Sequence, residues 1–284
     1  MWEEKKIKGR ALMNTLQNLH THTTYCDGKD TVEEMINAAL EKGFGGIGFS
    51  GHSYMFYSPS HSMSLEGTEK YREEVKDMKE KYRGKIDVFL GLEFDAYSKD
   101  VDLSGYDYVI GSYHYLKFGD EYVGFDRSAD EVARVINTYF GGDGMAFVKE
   151  SYRQMARLPE YGKIDIIGHF DIITKNIEKV NFFDTDSDEY LKYAFLALDA
   201  MRGKIPFFEV NTGAISRGYR TTPYPMKNIL RQMKEWGFGA VISSDCHDAN
   251  HLDCAFDGAR EILLECGFKE KYILTPSGFC AVEL

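Results

Sequence analysis

The chain has 284 residues, 43% of them hydrophobic and 14% aromatic, enough for one large buried core and within the usual range of a single α/β barrel domain. A formal net charge of -11 and a pI near 5.3 argue against nucleic acid or an anionic membrane as a partner, because phosphate groups would be repelled and no basic patch compensates. With no secretory signal and no apolar run long enough to span a bilayer, a cytoplasmic protein is expected, and the five cysteines (Cys26, Cys246, Cys254, Cys266, Cys280), odd in number and without a CxxC pair, read as reduced thiols.

The first dozen residues are charged and lack an apolar period, so residues 1–15 read as an N-terminal extension and 16–284 as one domain. From there short β-like runs alternate with helical ones. A strand over Gln17 to His20 is followed by a helix from about Val32 to Lys42, opened by the capping box Thr31-Val32-Glu33-Glu34 and closed by Gly43. Strands over Gly46 to Ser50 and Ile86 to Glu93 bracket a charged helix from about Gly67 to Tyr82. Tyr108 to Ser112 is the fourth strand, and Ser128-Ala129-Asp130-Glu131 caps one of two helices that precede the fifth, Lys163 to Gly168. A helix from Ser187 to Arg202, a strand from Pro206 to Asn211, a helix from Met226 to Gly237 and a strand from Gly239 to Ser244 follow. The chain ends with a helix near Cys254 to Cys266 and a tail strand, Tyr272 to Leu274.

Seven βα units with apolar strands predict a parallel sheet covered by helices, and in closed α/β barrels the active site gathers at the carboxyl ends of the strands. The polar residues follow that rule. His20 and His22, His52, Glu93, His114, His169, and Asp245 with His247 each stand at or just past the end of a different predicted strand. In extended backbone, residues two apart share a face, so His20 and His22 can grip one ion, with Asp27 arriving from the turn that follows. Asp245 and His247 share the same spacing. Glu93 has two oxygens and can bridge two cations, while His52 and His169 each follow a glycine that permits close backbone approach. Taken singly, His52, His114 and His169 read as satisfied loop histidines, and Glu93 equally as a bridging carboxylate or as one leaving the core for solvent. Taken together, six histidines and three carboxylates exceed one coordination sphere. Two to three divalent transition metal ions are therefore expected, with Zn, Mn and Fe all compatible with an oxygen and nitrogen donor set.

Clustered divalent ions can activate water, orient phosphate oxygens and stabilise charge during displacement at phosphorus, which points to phosphate ester hydrolysis. An anionic substrate on an acidic protein needs local neutralisation, and the loop Asn211 to Arg220 offers Arg217, with Arg220 as the weaker candidate. His61 and His251 sit in polar loops and read as surface residues. Tyr54, Phe56 and Tyr57 suit either a lid over an imidazole-bearing substrate or packing against the barrel rim.

In order and spacing, His20-x-His22, Tyr25-Cys26-Asp27-Gly28, Gly51-His52-Ser53, Gly91-Leu92-Glu93, Ser112-Tyr113-His114, Gly168-His169 and Ser244-Asp245-Cys246-His247 resemble the motifs of the polymerase and histidinol phosphatase (PHP) metallophosphoesterases, over Asn18 to His247. The resemblance implies a distorted seven-stranded TIM-like (β/α)7 barrel with a trinuclear metal site. One metal would take His20, His22, Glu93 and Asp245; the second would share Glu93 and add His114 and His169; the third would take Asp27, His52 and His247. Arg217 resembles the arginine in the corresponding loop of histidinol phosphate phosphatases, so Glu93, Asp245, His247 and Arg217 are expected to carry the reaction. The activity expected is hydrolysis of a small phosphate monoester, foremost L-histidinol phosphate. The alternatives are nucleotides or another small phosphate ester, or, from another class, a non-catalytic metal-stabilised interaction module. Oligomeric state is left open.

Overall fold

Short runs of Val, Ile, Leu and Phe, separated by amphipathic segments, fold as strand and helix in turn. The structure, a computed structural model, describes residues 14–284, so residues 1–13 of the expected N-terminal extension lie outside the described residues. The first half runs β1 (Gln17–Asn18), α1 (Val32–Glu41), β2 (Gly46–Phe49), α2 (Leu65–Lys81), β3 (Asp87–Asp95), β4 (Tyr108–Ser112), then a hairpin of β5 (Tyr115–Phe118) and β6 (Glu121–Gly124). Next come α3 (Ala129–Phe140), α4 (Gly144–Met155), β7 (Ile166–Ile167), α5 (Asp188–Met201) and β8 (Phe207–Asn211). The chain closes with α6 (Gly213–Ser216), α7 (Lys227–Glu235), β9 (Gly239–Ser243), α8 (Phe256–Glu265) and a second hairpin, β10 (Glu270–Thr275) with β11 (Gly278–Glu283).

Seven strands pair in parallel in the order β1-β2-β3-β4-β7-β8-β9. The ring closes just beyond β1 and β9. There Thr21 bridges Cys246, His22 N donates to Cys246 O at 2.9 Å and Cys246 N to His20 O at 3.3 Å. This is the expected α/β barrel, and its closing hydrogen bonds lie between the two histidines of the first strand and the Asp245–His247 segment of the last.

Inside the barrel, Leu19, Phe89, Tyr108, Ile110, Ile166, Val241 and Leu274 make a compact apolar layer. Tyr108 fits only because glycines face it. A Cβ on Gly91 would overlap its ring and one on Gly48 would stand 2.9 Å from Leu19 Cδ2 and from Tyr108 Cζ. Gln17 exchanges two hydrogen bonds with the Leu274 backbone, at 2.9 and 2.7 Å, and Phe207 packs on Tyr272 and Phe279, so the β10–β11 hairpin covers the amino ends of the strands. The opposite, carboxyl end is left for chemistry. Around the outside, α1 buries Val32, Met35, Ile36 and Ala39, at helical spacing, into the main core.

The capping boxes at Thr31/Glu34 and Ser128/Glu131 form as the sequence predicts. Most element bounds shift by one to three residues, and the larger differences lie near the site and at the tail. β3 runs two residues past Glu93; β7 is only Ile166–Ile167, although Gly168 N still donates to Gly111 O at 3.0 Å, an approach so close that a Cβ on Gly168 would lie 2.5 Å from Ser112 Oγ. The β5–β6 hairpin, turning at Gly119 with φ 59°, was not expected, and the tail strand is one arm of a hairpin. All five cysteines are free. No described helix is long and apolar enough to cross a membrane.

Candidate metal centre

The nine residues expected to bind metal converge at the carboxyl end of the barrel. His20 and His22 leave β1 on one face, as two-residue spacing requires, and both are fully buried. Asn18 Oδ1 anchors this strand end by accepting from His20 N at 3.0 Å and Ser244 N at 3.3 Å, tying β1 to the end of β9. Beyond β9, Asp245 takes a left-handed conformation, φ 46°, which turns its carboxylate inward. Its Oδ1 lies 3.6 Å from His20 Nε2 and 3.2 Å from His22 Nε2, and Glu93 Oε2 lies 3.3 and 3.5 Å from the same nitrogens. These four residues form the inner group.

Glu93 Oε1 faces the second group, 3.1 Å from His169 Nε2 and 3.7 Å from His114 Nε2, with the two nitrogens 3.1 Å apart. Glu93 thus stands between two sets of imidazoles, as a bridging carboxylate must. In the third group Asp27 Oδ1 lies 3.3 Å from His247 Nε2 and 3.8 Å from His52 Nε2. His22 belongs here too, since its Nδ1 is 3.6 Å from Asp27 Oδ1 and its ring stacks on His247 with centroids 4.0 Å apart. The family resemblance implies the inner group alone for His22, and the structure adds the third.

Four donor atoms at the heart of this cluster, His20 Nε2, His22 Nε2, Asp27 Oδ1 and Glu93 Oε2, are buried and have no hydrogen-bond partner. Buried polar atoms are rarely left so, and four converging lone pairs on imidazole and carboxylate fit the coordination chemistry of divalent transition ions. The donor set therefore suits the metals expected from it.

Two buried carboxylates that the sequence reading missed support the cluster from behind. Glu209, on β8, accepts from Ser243 Oγ at 2.5 Å, Asn211 Nδ2 at 2.8 Å and His169 N at 2.7 Å, and its Oε2 is 2.8 Å from His20 Nδ1. Asp95, at the end of β3, lies 3.0 Å from His52 Nδ1 and hydrogen-bonds His114 Nδ1. Both were detectable from alternation, because Asp95 follows Glu93 by two residues on a strand and Glu209 breaks an otherwise apolar one.

Charge balance in the cluster follows from burial against pairing. Burial, the largest single influence, pushes the carboxyls of Asp27, Glu93 and Asp245 upward, yet the surrounding imidazoles, and Arg217 for Asp245, hold all three below the ordinary range. For His20 and His52 burial acts downward and is outweighed by carboxylates, chiefly Glu209 for the first and Glu93 for the second, so both titrate higher than usual. His114 is raised to about 8 against burial, mainly by Asp95. His22 goes the other way, down to about 3, through burial and the neighbouring His247 and His52.

Arg217 is at the rim, one third of its side chain exposed. Its Nη2 lies 2.9 Å from Asp245 Oδ2, its Nη1 donates to Asp245 O at 2.7 Å and lies 3.4 Å from His247 Nδ1. Arg220 turns away from the centre, buried against Thr174, Thr222 and the Tyr224 ring, which gives it a packing role. Lys175 and Asp126 pair at 2.7 Å, and Asp126 feels the charges of both His114 and Arg217, which places this unforeseen ion pair near the same rim. The aromatic run packs more than it covers: Tyr57 stacks on Tyr122 at 4.2 Å and donates to Ala96 O at 2.7 Å, and Phe56 leans on both tyrosines. His251 is exposed as expected, whereas His61 is half-buried among Ser58, Ser60 and Arg127.

Fold and cluster together define a metal-binding α/β barrel with its donor set at the carboxyl ends of the strands. The PHP domain matches residues 18–213, and the chain belongs to the PHP domain family. It is 31% identical over 264 residues to the Deinococcus radiodurans protein named "Probable histidinol-phosphatase", covering 88% of this chain and 94% of that one. It is 26% identical over 266 residues to the Bacillus subtilis histidinol-phosphatase, covering 85% and 97%. Among solved structures, the Lactococcus lactis histidinol phosphate phosphatase, complexed with zinc, L-histidinol and phosphate, superposes with a TM-score of 0.71 at 20% identity, covering 94% of this chain and 99% of that one. At that identity the likeness speaks to the fold.

Proposed function

We propose that the protein is a metal-dependent phosphatase that hydrolyses a small phosphate monoester, and that its substrate is L-histidinol phosphate, released as L-histidinol and phosphate. The observation that carries this is the convergence of nine strand-end ligands, with four buried donor atoms unpartnered, in a chain matched over most of its length by proteins named histidinol-phosphatase. The inner ion would be held by His20, His22, Glu93 and Asp245, a second by Glu93, His114 and His169, and a third by Asp27, His52 and His247 with His22 alongside. Zinc, manganese and iron all suit these donors. Divalent ions so held would supply positive charge to neutralise phosphate oxygens and to lower the pKa of the attacking water.

The chain's own residues do the rest. Glu93, ionised and central, keeps two ligand groups in register. Arg217 presents a guanidinium at the mouth, where the net charge of -11 would otherwise repel a phosphate; Asp245 both ligates and fixes that guanidinium. His247 lies between Asp27 and Arg217, so the third ligand group and the guanidinium adjoin at the mouth. The test is a phosphate-release panel on the metal-loaded protein with L-histidinol phosphate, nucleotides and sugar phosphates. L-histidinol phosphate should lead in kcat/KM by at least about tenfold, roughly 1.4 kcal/mol in transition-state binding. A nucleotide in first place would overturn the substrate, and no metal-dependent release from any ester would overturn the activity.

A further inference from the structure

Strand β3 ends in two carboxylates on one face, and they share only one ring atom, His52 Nδ1, as a near neighbour. Glu93 addresses imidazole nitrogens that converge on the ion positions. Asp95, 1% exposed, addresses the Nδ1 atoms of His52 and His114, for His114 the side of the ring opposite to Glu93. Its Oδ2 lies 3.0 Å from His52 Nδ1, and its Oδ1 hydrogen-bonds His114 Nδ1. The backbone amide of Asp95 is held by Ser53 Oγ at 3.0 Å, which fixes where the carboxylate starts. His52 Nδ1 is also 2.9 Å from Glu93 Oε2, but that oxygen has no aligned donor, so the bond of the ring is to Asp95.

The two rings belong to different groups. His52 Nε2 faces Asp27, and His114 Nε2 faces Glu93 and His169. A neutral imidazole that ligates through Nε2 carries its proton on Nδ1, and the acceptor at Nδ1 sets both tautomer and ring orientation. Two such N–H groups meet the two oxygens of one carboxylate. Glu209 has the matching ring contact with the inner group, through His20 Nδ1 at 2.8 Å, and meets the second group only at the backbone amide of His169, at 2.7 Å.

We propose that Asp95 is a positioning residue shared by the second and third ligand groups, so that it sets the affinity of both outer ions together while leaving the inner one to Glu209. This rests on the metal-dependent reading above. The chemistry of the amide variant sharpens it: the side chain introduced by Asp95→Asn would offer one oxygen and one NH2, so it can accept from one ring but must oppose the other. Asp95→Asn therefore releases one outer group, and Asp95→Ala releases both.

The experiment is titration of Co2+ alone into chelator-stripped full-length protein, followed by equilibrium dialysis and by the visible absorption bands of the bound ion. The parent should show one inner site and weaker outer ones. Asp95→Ala should weaken the outer sites by about 10–100-fold with the inner site's affinity and bands unchanged, and Asp95→Asn should weaken one outer site by that factor. Glu209→Gln should do the reverse, weakening the inner site. Circular dichroism checks that each variant folds; should Asp95→Ala fail to, the isosteric Asp95→Asn carries the comparison. An Asp95 variant with the parental binding curve, or with all sites weakened alike, overturns the shared-positioning role while leaving the proposed activity standing. A parent that takes up no Co2+ would overturn that activity as well.

Discussion

Arg217 grips Asp245 at two points, donating through Nη1 to its carbonyl oxygen at 2.7 Å and through Nη2 to its carboxylate at 2.9 Å. The arginine comes from the loop after β8 and the aspartate from the loop after β9, so the contact ties two adjacent barrel strands at the mouth. Burial of the guanidinium lowers its pKa and Asp245 more than restores it, leaving Arg217 cationic at any working pH. One third of its side chain still meets solvent, which is the part a phosphate could reach.

If that exposed edge neutralises the phosphoryl group, Arg217→Ala should cut kcat/KM on L-histidinol phosphate and on a generic aryl phosphate by a similar factor, on the order of 10²–10³. Lysine keeps the charge but loses the planar fork, so Arg217→Lys should recover only part. Steady-state kinetics on both esters decide it. An alanine variant matching the parent on both substrates would send the search to Lys175 across the rim.

Removing a ligand should separate chemistry from folding. Asp245→Asn and His22→Ala each take a donor from the inner group, while the apolar layer of Leu19, Phe89, Ile110, Ile166 and Val241 lies untouched beneath it. Turnover should fall by at least about 10³-fold, some 4 kcal/mol, with far-UV circular dichroism unchanged. His22 faces both the inner group and Asp27, so His22→Ala should also cost more bound metal than Asp245→Asn; elemental analysis of the two proteins reads this directly. Near-parental activity in either variant would mean the reaction occurs elsewhere.

What could be read in advance divides along a physical line. Strand-end histidines were legible because they recur at the ends of successive apolar runs, a regularity that scattered structural histidines would lack, and because residues two apart on a strand must share a face. Helix starts at Val32 and Ala129 were legible because a capping box is local chemistry. Glu209 and Asp95 were not found, although the alternation was there, because a carboxylate inside an apolar strand becomes meaningful only when the end of another strand brings a histidine to it. The same holds for the Lys175–Asp126 pair, whose partners are 49 residues apart. The β5–β6 hairpin carried a Gly119-Asp120 turn signal, but its strands are half-exposed and short. Local patterning reports backbone; pairings across the barrel mouth depend on closure, which no local window contains.

The response of the protein to pH has a sign set by the imidazoles. In chelator-stripped protein His20, His52 and His114 titrate above the ordinary histidine value, His114 near 8, because carboxylates outweigh burial. Their contribution to stability is fully present below about pH 6.5, where the unfolded chain's histidines are also protonated, and is lost as pH rises through the folded values. His22, lowered to about 3, opposes them by losing stability as pH falls below about 6.5, but it is one group against three. A divalent ion needs all of these rings neutral, so its binding releases protons and strengthens over the same interval in which the stripped protein weakens. The melting temperature of the stripped protein should therefore fall between about pH 6.5 and pH 8.5, while the gain on adding saturating Zn2+ widens. Thermal melts with and without the ion at both values measure the gap, and proton release on binding can be followed in weakly buffered solution. A gap that stays constant or narrows would show that the imidazoles of the cluster are not what the ion displaces protons from.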